Sequence, residues 1–112
     1  MMNKKIKDII AKKNKSKIVS LTAYSKNIAQ IIDKYVDMTL VGDSVASVLY
    51  NYNTTRKISL DAMIEHAKSV RMGLHNSLMV FDMPYNTYKD KKNALLNAKK
   101  IIKKTKSDAV KL

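Results

Sequence analysis

Short, nearly continuous apolar runs alternate along this chain with longer segments whose apolar residues recur every three to four positions. The four runs lie at 18–22, 38–41, 78–81 and 109–112. Continuous apolar strands are typical of sheets covered on both faces, and strands separated by amphipathic helices run parallel. The pattern therefore predicts an α/β protein with a parallel sheet. Periodicity alone leaves open whether that sheet is doubly wound or belongs to a barrel.

Three amphipathic helices are predicted between these strands. The first begins after Ser25 and the second after Ser59, since serine commonly caps helices, and Gly73 is expected to stop the second. The third precedes the last strand, and a polar loop is expected over 51–57. The predicted apolar faces consist of Ile28, Ile31, Ile32 and Tyr35, of Leu60, Met63, Ile64 and Ala67, and of Ala94, Leu95, Ala98, Ile101 and Ile102.

The 112 residues are enough for one domain with a core. We predict an amphipathic N-terminal helix over 1–16, followed by the domain proper over 17–112. The helix has Met2, Ile6, Ile9 and Ile10 on one face. Packing on its own domain explains this face as well as a membrane-surface or targeting role does. No apolar run approaches the roughly 20 residues of a membrane span, so no membrane partner is expected.

The formal net charge of +13 would by itself suggest a nucleic acid partner. The surplus is almost all lysine spread over every segment, with arginine only at Arg56 and Arg71. Phosphate and base recognition favours arginine forks and interleaved aromatic residues. Solvated helix faces are therefore the favoured interpretation, and a basic, non-catalytic module that binds RNA or another polyanion is the alternative. The lack of cysteine excludes disulfides and thiol chemistry and fits the cytoplasm.

Two aspartates follow neighbouring strands of the predicted sheet. Asp43 comes after the second run and Asp82 after the third. The carboxyl ends of parallel strands form the functional edge of such folds. Two carboxylates that converge there repel each other unless a cation lies between them, and Mg²⁺ accepts one or two carboxylates together with water and substrate oxygens. The plainer interpretation is that both are loop aspartates that cap turns.

The residues around these aspartates resemble the N-terminal portion of the ketopantoate hydroxymethyltransferase family. The resemblance runs from about Lys17 to the last residue, with several motifs in matching order and spacing. They are 22–24 (T-A-Y), 40–44 (L-V-G-D-S), Thr55, His66, 70–73 (V-R-M-G), 81–85 (F-D-M-P-Y), Tyr88, 97–98 (N-A) and 110–112 (V-K-L).

This resemblance implies a partial (β/α)₈ barrel that comprises about the first three β/α units and a fourth strand. The implied reaction transfers a hydroxymethyl group from 5,10-methylenetetrahydrofolate to 3-methyl-2-oxobutanoate through a magnesium-stabilised enolate. Its product is ketopantoate, a precursor of pantothenate and coenzyme A. The implied partners are the keto acid and the folate, and family members are cytoplasmic homo-oligomers.

The resemblance also assigns roles to individual residues. It implies that Asp43 and Asp82 are magnesium ligands, and that Asp43, Ser44, Asp82 and Lys111 contact the keto acid. The general base of the family lies beyond the position of Leu112, so no catalytic residue is expected within this chain. A complete barrel needs about 250 residues. We therefore expect a truncated portion that is inactive alone. A different magnesium-dependent barrel enzyme that forms enolates is a further alternative, although its cysteine-containing loop is missing.

Four other side chains are candidates for a functional role. Tyr24 follows the first strand and either lines the pocket or packs in the core. His66 is interpreted as a packed or surface histidine rather than a catalytic one, and His75 is expected at the opposite end of the sheet. Arg56 has no functional match in the family.

The sequence departs from the family pattern at several positions. Ser25 replaces an aspartate, and Ala46 and Asn51 stand where the family has glycines. The glycine before the fourth strand is replaced at 107–108 (S-D). These replacements affect the local turn geometry, although Asn and Asp tolerate left-handed backbone better than most residues.

Overall fold

A computed structural model describes residues 3–112, which form four strands, five α-helices and one 3₁₀ turn. In chain order the elements are α1 (Lys4–Ala11), β1 (Ser20–Thr22), α2 (Lys26–Ile32), β2 (Met38–Val41), α3 (Val45–Val48), the 3₁₀ turn (Thr55–Lys57), α4 (Leu60–Gly73), β3 (Leu78–Asp82), α5 (Lys91–Thr105) and β4 (Ala109–Lys111). No helix in this described range is both long enough and apolar enough to cross a membrane.

The four strands form one parallel sheet in the order β1-β2-β3-β4. A doubly wound sheet reverses its strand order at a switch point, whereas barrel strands follow one another in sequence. The observed order therefore decides the question that periodicity left open. The prediction of an α/β fold with three β/α units and a fourth strand of a partial (β/α)₈ barrel is confirmed.

The core lies between the sheet and a layer of helices formed by α2, α4 and α5. Alternate strand residues Val41, Met79 and Phe81 point into it and meet Met63 of α4 and Ile101 of α5. All five side chains are completely buried. The intervening strand residues point to the opposite sheet face, the one that lies inside a barrel.

The predicted helix starts are confirmed, but the predicted apolar faces are only partly right. Ser59 accepts a hydrogen bond from the Ala62 N–H, whereas the Ser25 hydroxyl makes no capping bond. Helix α2 packs on α4 through Ala29, so its outer flank stays exposed. Residues predicted as buried but found exposed are Ile28, Ile31, Tyr35, Leu95 and Ile102. The loop predicted over 51–57 contains the 3₁₀ turn, and α3 was not predicted because four residues are too few for a periodic pattern.

Helix α1 lies across the N-terminal ends of the strands. The Asn3 amide donates to Asp108, which precedes β4, and Lys12 pairs with Asp37, which precedes β2. Ile6 and Ile9 are half-buried and Ile10 is exposed. The remaining member of the predicted apolar face, Met2, lies outside the described residues. The division into a helix over 1–16 and a domain over 17–112 remains a prediction.

Left-handed backbone occurs at Asn51 (φ 55°), a residue type that tolerates this conformation well. Ala46 needs no such conformation because it lies inside α3. In the turn before β4, Lys106 takes the left-handed conformation (φ 58°), and neither residue of 107–108 does. The left-handed residue that ends α5 is thus its C-cap, Lys106.

Helix α4 ends at Gly73, as predicted, although Gly73 has no positive φ. Its importance is the close approach of α2. A Cβ at Gly73 would lie 2.5 Å from the Lys26 carbonyl oxygen and 2.9 Å from the Ala29 Cβ. The missing side chain lets the two helices touch at their backbones.

We expect Gly73→Ala to lower the free energy of unfolding by about 2 kcal/mol, because overpacking outweighs the gain in helix propensity. Urea unfolding followed by circular dichroism measures this. Gly42→Ala is the matched control, since its Cβ would meet its nearest neighbour, Ser44 Oγ, at an ordinary 3.4 Å. Equal effects of the two substitutions would contradict the close-approach argument.

Asp33, at the C-terminal end of α2, was not singled out from the sequence. Its buried carboxylate accepts hydrogen bonds at 3.0 Å from the N–H groups of His75, Asn76 and Ser77 and from the Asn76 side chain. Burial alone would raise the pKa of Asp33, but these hydrogen bonds outweigh it and lower the pKa below its ordinary 3.8. The carboxylate thus anchors the turn that leads into β3.

We expect Asp33→Asn to destabilise the chain by about 2 kcal/mol at pH 7, because charge-assisted hydrogen bonds are lost. A lowered pKa in the folded state contributes stability above the unfolded pKa and loses it as pH falls through the folded value. The difference between wild type and variant should therefore shrink below pH 3.8. Urea unfolding at several pH values tests this, with exposed Asp8→Asn as the control. A difference that does not change with pH would refute it.

Candidate functional site

The C-terminal ends of β2, β3 and β4 bring four polar residues to one edge of the sheet. Val41 is in register with Phe81, and Asp82 with Lys111, so the loop 42–44 that follows β2 lies next to the end of β3. Asp82 is the last residue of its strand rather than the first of the loop. Parallel pairing thus gathers the sequence-predicted Asp43, Ser44, Asp82 and Lys111.

Asp82 and Lys111 form an ion pair at this edge. The Lys111 Nζ donates to Asp82 Oδ1 at 3.0 Å. The aspartate side chain is 12% exposed and the lysine side chain 57%. The hydrogen bond and charge of Asp82 raise the pKa of Lys111; partial burial opposes them, and the charge of Asp43 raises it further. Lys111 therefore stays charged at neutral pH beside the carboxylate of Asp82.

Neither aspartate of this site acts as a cap among residues 3–112. The half-buried Asp43 makes no side-chain hydrogen bond there, and Asp82 bonds only to Lys111. Other aspartates do cap, as Asp90 does when it accepts from the N–H of Asn93 at the start of α5. The plainer interpretation, in which both site aspartates cap turns, is not supported. Both oxygens of Asp43 and the second oxygen of Asp82 therefore make no hydrogen bond to the described residues.

The hydroxyl of Ser44 is held by the side chain of Tyr24. The two oxygen atoms are 2.5 Å apart, and both residues are half-buried. Tyr24 is attached in turn to His66 of α4, whose Nδ1 lies 3.2 Å from the Tyr24 carbonyl oxygen. His66 Nε2 lies 2.6 Å from the hydroxyl of Tyr50. The loops after β1 and β2 are thus joined to α4 beside the site.

The other candidates lie further away. His75 is exposed at the opposite end of the sheet, where its N–H donates to Asp33. Arg56 has its guanidinium 4.5 Å from the ring centre of Tyr85, so it links the loops after β2 and β3. Tyr50 was missed because it lies just before the polar loop expected over 51–57, where no motif or helical spacing marks it. Its link to His66 joins positions that no periodic pattern relates.

The donor set limits the kind of metal that fits here. The described residues contain no cluster of three or more histidine, aspartate or glutamate side chains, and the chain has no cysteine. Zinc in proteins requires such clusters. Magnesium instead takes one or two carboxylates and completes its shell with water and substrate oxygens. Asp43 and the second oxygen of Asp82 fit that pattern.

The fold and the site define a class: a parallel β/α barrel-type protein with acidic side chains and a lysine at the C-terminal ends of its strands. The family model for ketopantoate hydroxymethyltransferase matches residues 3–112. The chain belongs to the ketopantoate hydroxymethyltransferase family.

Curated relatives agree with this assignment. A 3-methyl-2-oxobutanoate hydroxymethyltransferase of Pelagibacter ubique is 68% identical over 111 residues, which cover 99% of this chain and 43% of the relative. Proteins of the same name from Bartonella tribocorum and Helicobacter acinonychis are 47% and 46% identical, over 39% and 38% of their lengths. The chain therefore spans about two fifths of the length of these relatives.

We expect Asp82→Asn to lower the pKa of Lys111 toward its ordinary value of 10.5, because the strongest of its partners loses its charge. The ¹³Cε chemical shift of Lys111, followed from pH 8 to pH 12, reports this pKa. Asp61→Asn is the control, since Asp61 pairs with Lys100 on the outer helix surface. An unchanged titration of Lys111 in Asp82→Asn would mean that the ion pair does not form.

Proposed function

We propose that this chain forms the oxo-acid and magnesium site of an enzyme that transfers a hydroxymethyl group to 3-methyl-2-oxobutanoate. The observation that carries the proposal is the pairing of Asp82 with Lys111 beside the uncapped Asp43 at the C-terminal edge of the sheet. The name that the relatives share supplies the reaction. In the proposal the one-carbon donor is 5,10-methylenetetrahydrofolate, and the enzyme acts in the cytoplasm as a homo-oligomer.

The two aspartates would hold the metal. Asp43 offers a carboxylate without a hydrogen bond to any other described side chain, and Asp82 offers the oxygen that Lys111 does not use. Mg²⁺, when bound, would polarise the oxo group of the substrate and stabilise the negative charge that develops as C3 loses its proton. The oxo and carboxylate oxygens of an α-oxo acid are well placed to complete its coordination shell.

Lys111 would bind the carboxylate of the oxo acid. Its raised pKa keeps the amino group charged, and more than half of its side chain is exposed, so it remains accessible. An ammonium group is a compact point charge that can hold one carboxylate while it stays beside Asp82. Lys111 thus orients the substrate and prevents the two aspartates from repelling it.

Ser44 would donate a second hydrogen bond to the same carboxylate. Its hydroxyl and that of Tyr24 share one contact, in which either oxygen can donate. If Tyr24 donates, the Ser44 hydrogen is free to point toward the substrate. The two groups together would fix which face of C3 meets the one-carbon unit. No residue among 3–112 is assigned as the general base or to folate.

The binding step can be tested on the chain itself by isothermal titration calorimetry with 3-methyl-2-oxobutanoate and Mg²⁺. We expect the oxo acid to bind only when Mg²⁺ is present. Asp43→Asn and Asp82→Asn should each weaken Mg²⁺-dependent binding at least roughly tenfold, the loss seen even when an outer partner of a metal ligand is removed. Lys111→Met should weaken binding of the oxo acid more than binding of Mg²⁺.

Asp61→Asn is the control, because it removes a carboxylate that also pairs with a lysine but lies on the exposed outer surface of the helices. Equal binding by the wild type and both aspartate variants would refute the proposed site. Binding of the oxo acid that does not depend on Mg²⁺ would also refute it. Exchange of the C3 hydrogen for deuterium, followed by proton NMR with Mg²⁺, reports whether the bound oxo acid is also activated.

A further inference from the structure

We propose that His66, on the outer helix α4, is a positioning residue that sets the orientation of the Ser44 hydroxyl through Tyr24. The contact chain runs from His66 to the Tyr24 carbonyl oxygen, and from the Tyr24 hydroxyl to Ser44 Oγ. The consequence for oxo-acid binding rests on the proposed function, whereas the effect on Ser44 does not.

The hydrogen bonds fix the tautomer of His66. A carbonyl oxygen can only accept, so Nδ1 carries the hydrogen that is donated to Tyr24 over 3.2 Å. In the neutral ring Nε2 then accepts, and the Tyr50 hydroxyl donates to it over 2.6 Å. The Tyr50 ring also lies edge-on to the His66 ring, 5.6 Å between centres. Both ring nitrogens are therefore satisfied, and the imidazole has one defined orientation.

Helix α4 holds the loop after β1 at two successive points. His66 contacts the carbonyl of Tyr24, and three residues later the Ser69 hydroxyl accepts from the N–H of Lys26 at 3.0 Å. Residues three apart on a helix lie on one face, so both contacts come from the same side of α4. The segment 24–26, which leads into α2, is thereby tied to α4. The close approach at Gly73 in turn fixes α4 against α2.

This attachment matters for Ser44 because Tyr24 is held at both ends. Its backbone is tied by His66, and its hydroxyl meets Ser44. If the backbone tie is removed, the ring can shift and the Ser44 hydroxyl loses its oriented partner. The carboxylates of Asp43 and Asp82, the proposed metal ligands, make no hydrogen bond to His66, Tyr24 or Ser44. A change at His66 should therefore affect the oxo acid and leave Mg²⁺ binding unchanged.

Three substitutions separate the two contacts of the imidazole. His66→Asn keeps an N–H near the position of Nδ1, His66→Gln keeps an amide near Nε2, and His66→Ala keeps neither. We expect His66→Ala and His66→Gln to weaken Mg²⁺-dependent binding of 3-methyl-2-oxobutanoate about fivefold, the effect of one lost hydrogen bond. His66→Asn should restore the affinity to within about twofold of wild type. Glu65→Gln, exposed on the same turn, is the control.

A purely structural role would give a different pattern. All three variants would then lower thermal stability without a selective change in oxo-acid affinity, and Asn would not restore it. The Tyr24→Phe background provides a second test. There the link to Ser44 is already cut, so adding His66→Gln should cause no further loss of affinity. A full additional loss would overturn the inference.

A measurement without substrate keeps the inference separate from the proposed function. The ¹³Cβ chemical shift of Ser44, recorded on the chain alone, should change in His66→Gln and return in His66→Asn. If Ser44 responds in this way but no oxo acid binds, the proposed function fails and the positioning role stands. If the Ser44 signal is the same in wild type and His66→Gln, the positioning role is wrong. His66→Gln retains most of the side-chain volume, so it can still be measured if the His66→Ala variant does not fold.

Discussion

The site exists because four parallel strands pair in the order in which they occur along the chain. Parallel pairing places every strand end of one polarity at the same edge, and sequential order places neighbouring loops side by side. The register of β3 and β4 then sets Asp82 directly opposite Lys111, 3.0 Å apart through their charged atoms. A shift of this register by one residue would turn one of these side chains toward the helix layer and break the ion pair.

Helix α4 connects the packing of the fold to this edge. Its C-terminal residue, Gly73, lets α2 approach to backbone contact, and its middle turns bind the loop after β1 through His66 and Ser69. The opposite edge of the sheet carries stabilising contacts instead. There Asp33 anchors the turn before β3, and α1 lies across the strand starts. The stabilising contacts and the candidate site thus lie at opposite ends of the strands, as is usual in barrels.

The sequence predicts what depends on local patterns. Apolar runs and helical spacing identify the strands and the starts of α2 and α4, and the resemblance of short motifs picks out Asp43, Ser44, Asp82 and Lys111, which the fold brings to one edge. What it misses depends on contacts between distant positions. The carboxylate of Asp33 binds three N–H groups more than 40 residues away, and His66 joins Tyr24 to Tyr50. The left-handed C-cap at Lys106 was also missed, because a lysine gives no local signal for that conformation.

The charges at the site argue for joint binding of its two proposed ligands. Asp43, Asp82 and Lys111 together carry one net negative charge, in a chain whose formal net charge is +13. A divalent cation alone would leave the half-buried group with one positive charge, and the oxo-acid anion alone would leave it with two negative charges. Only the cation and the anion together make it neutral. Uncompensated charge is costly beside partly buried carboxylates, so each proposed ligand should favour binding of the other. The many lysines on the helices lie on solvated faces, where screening weakens their influence on this balance.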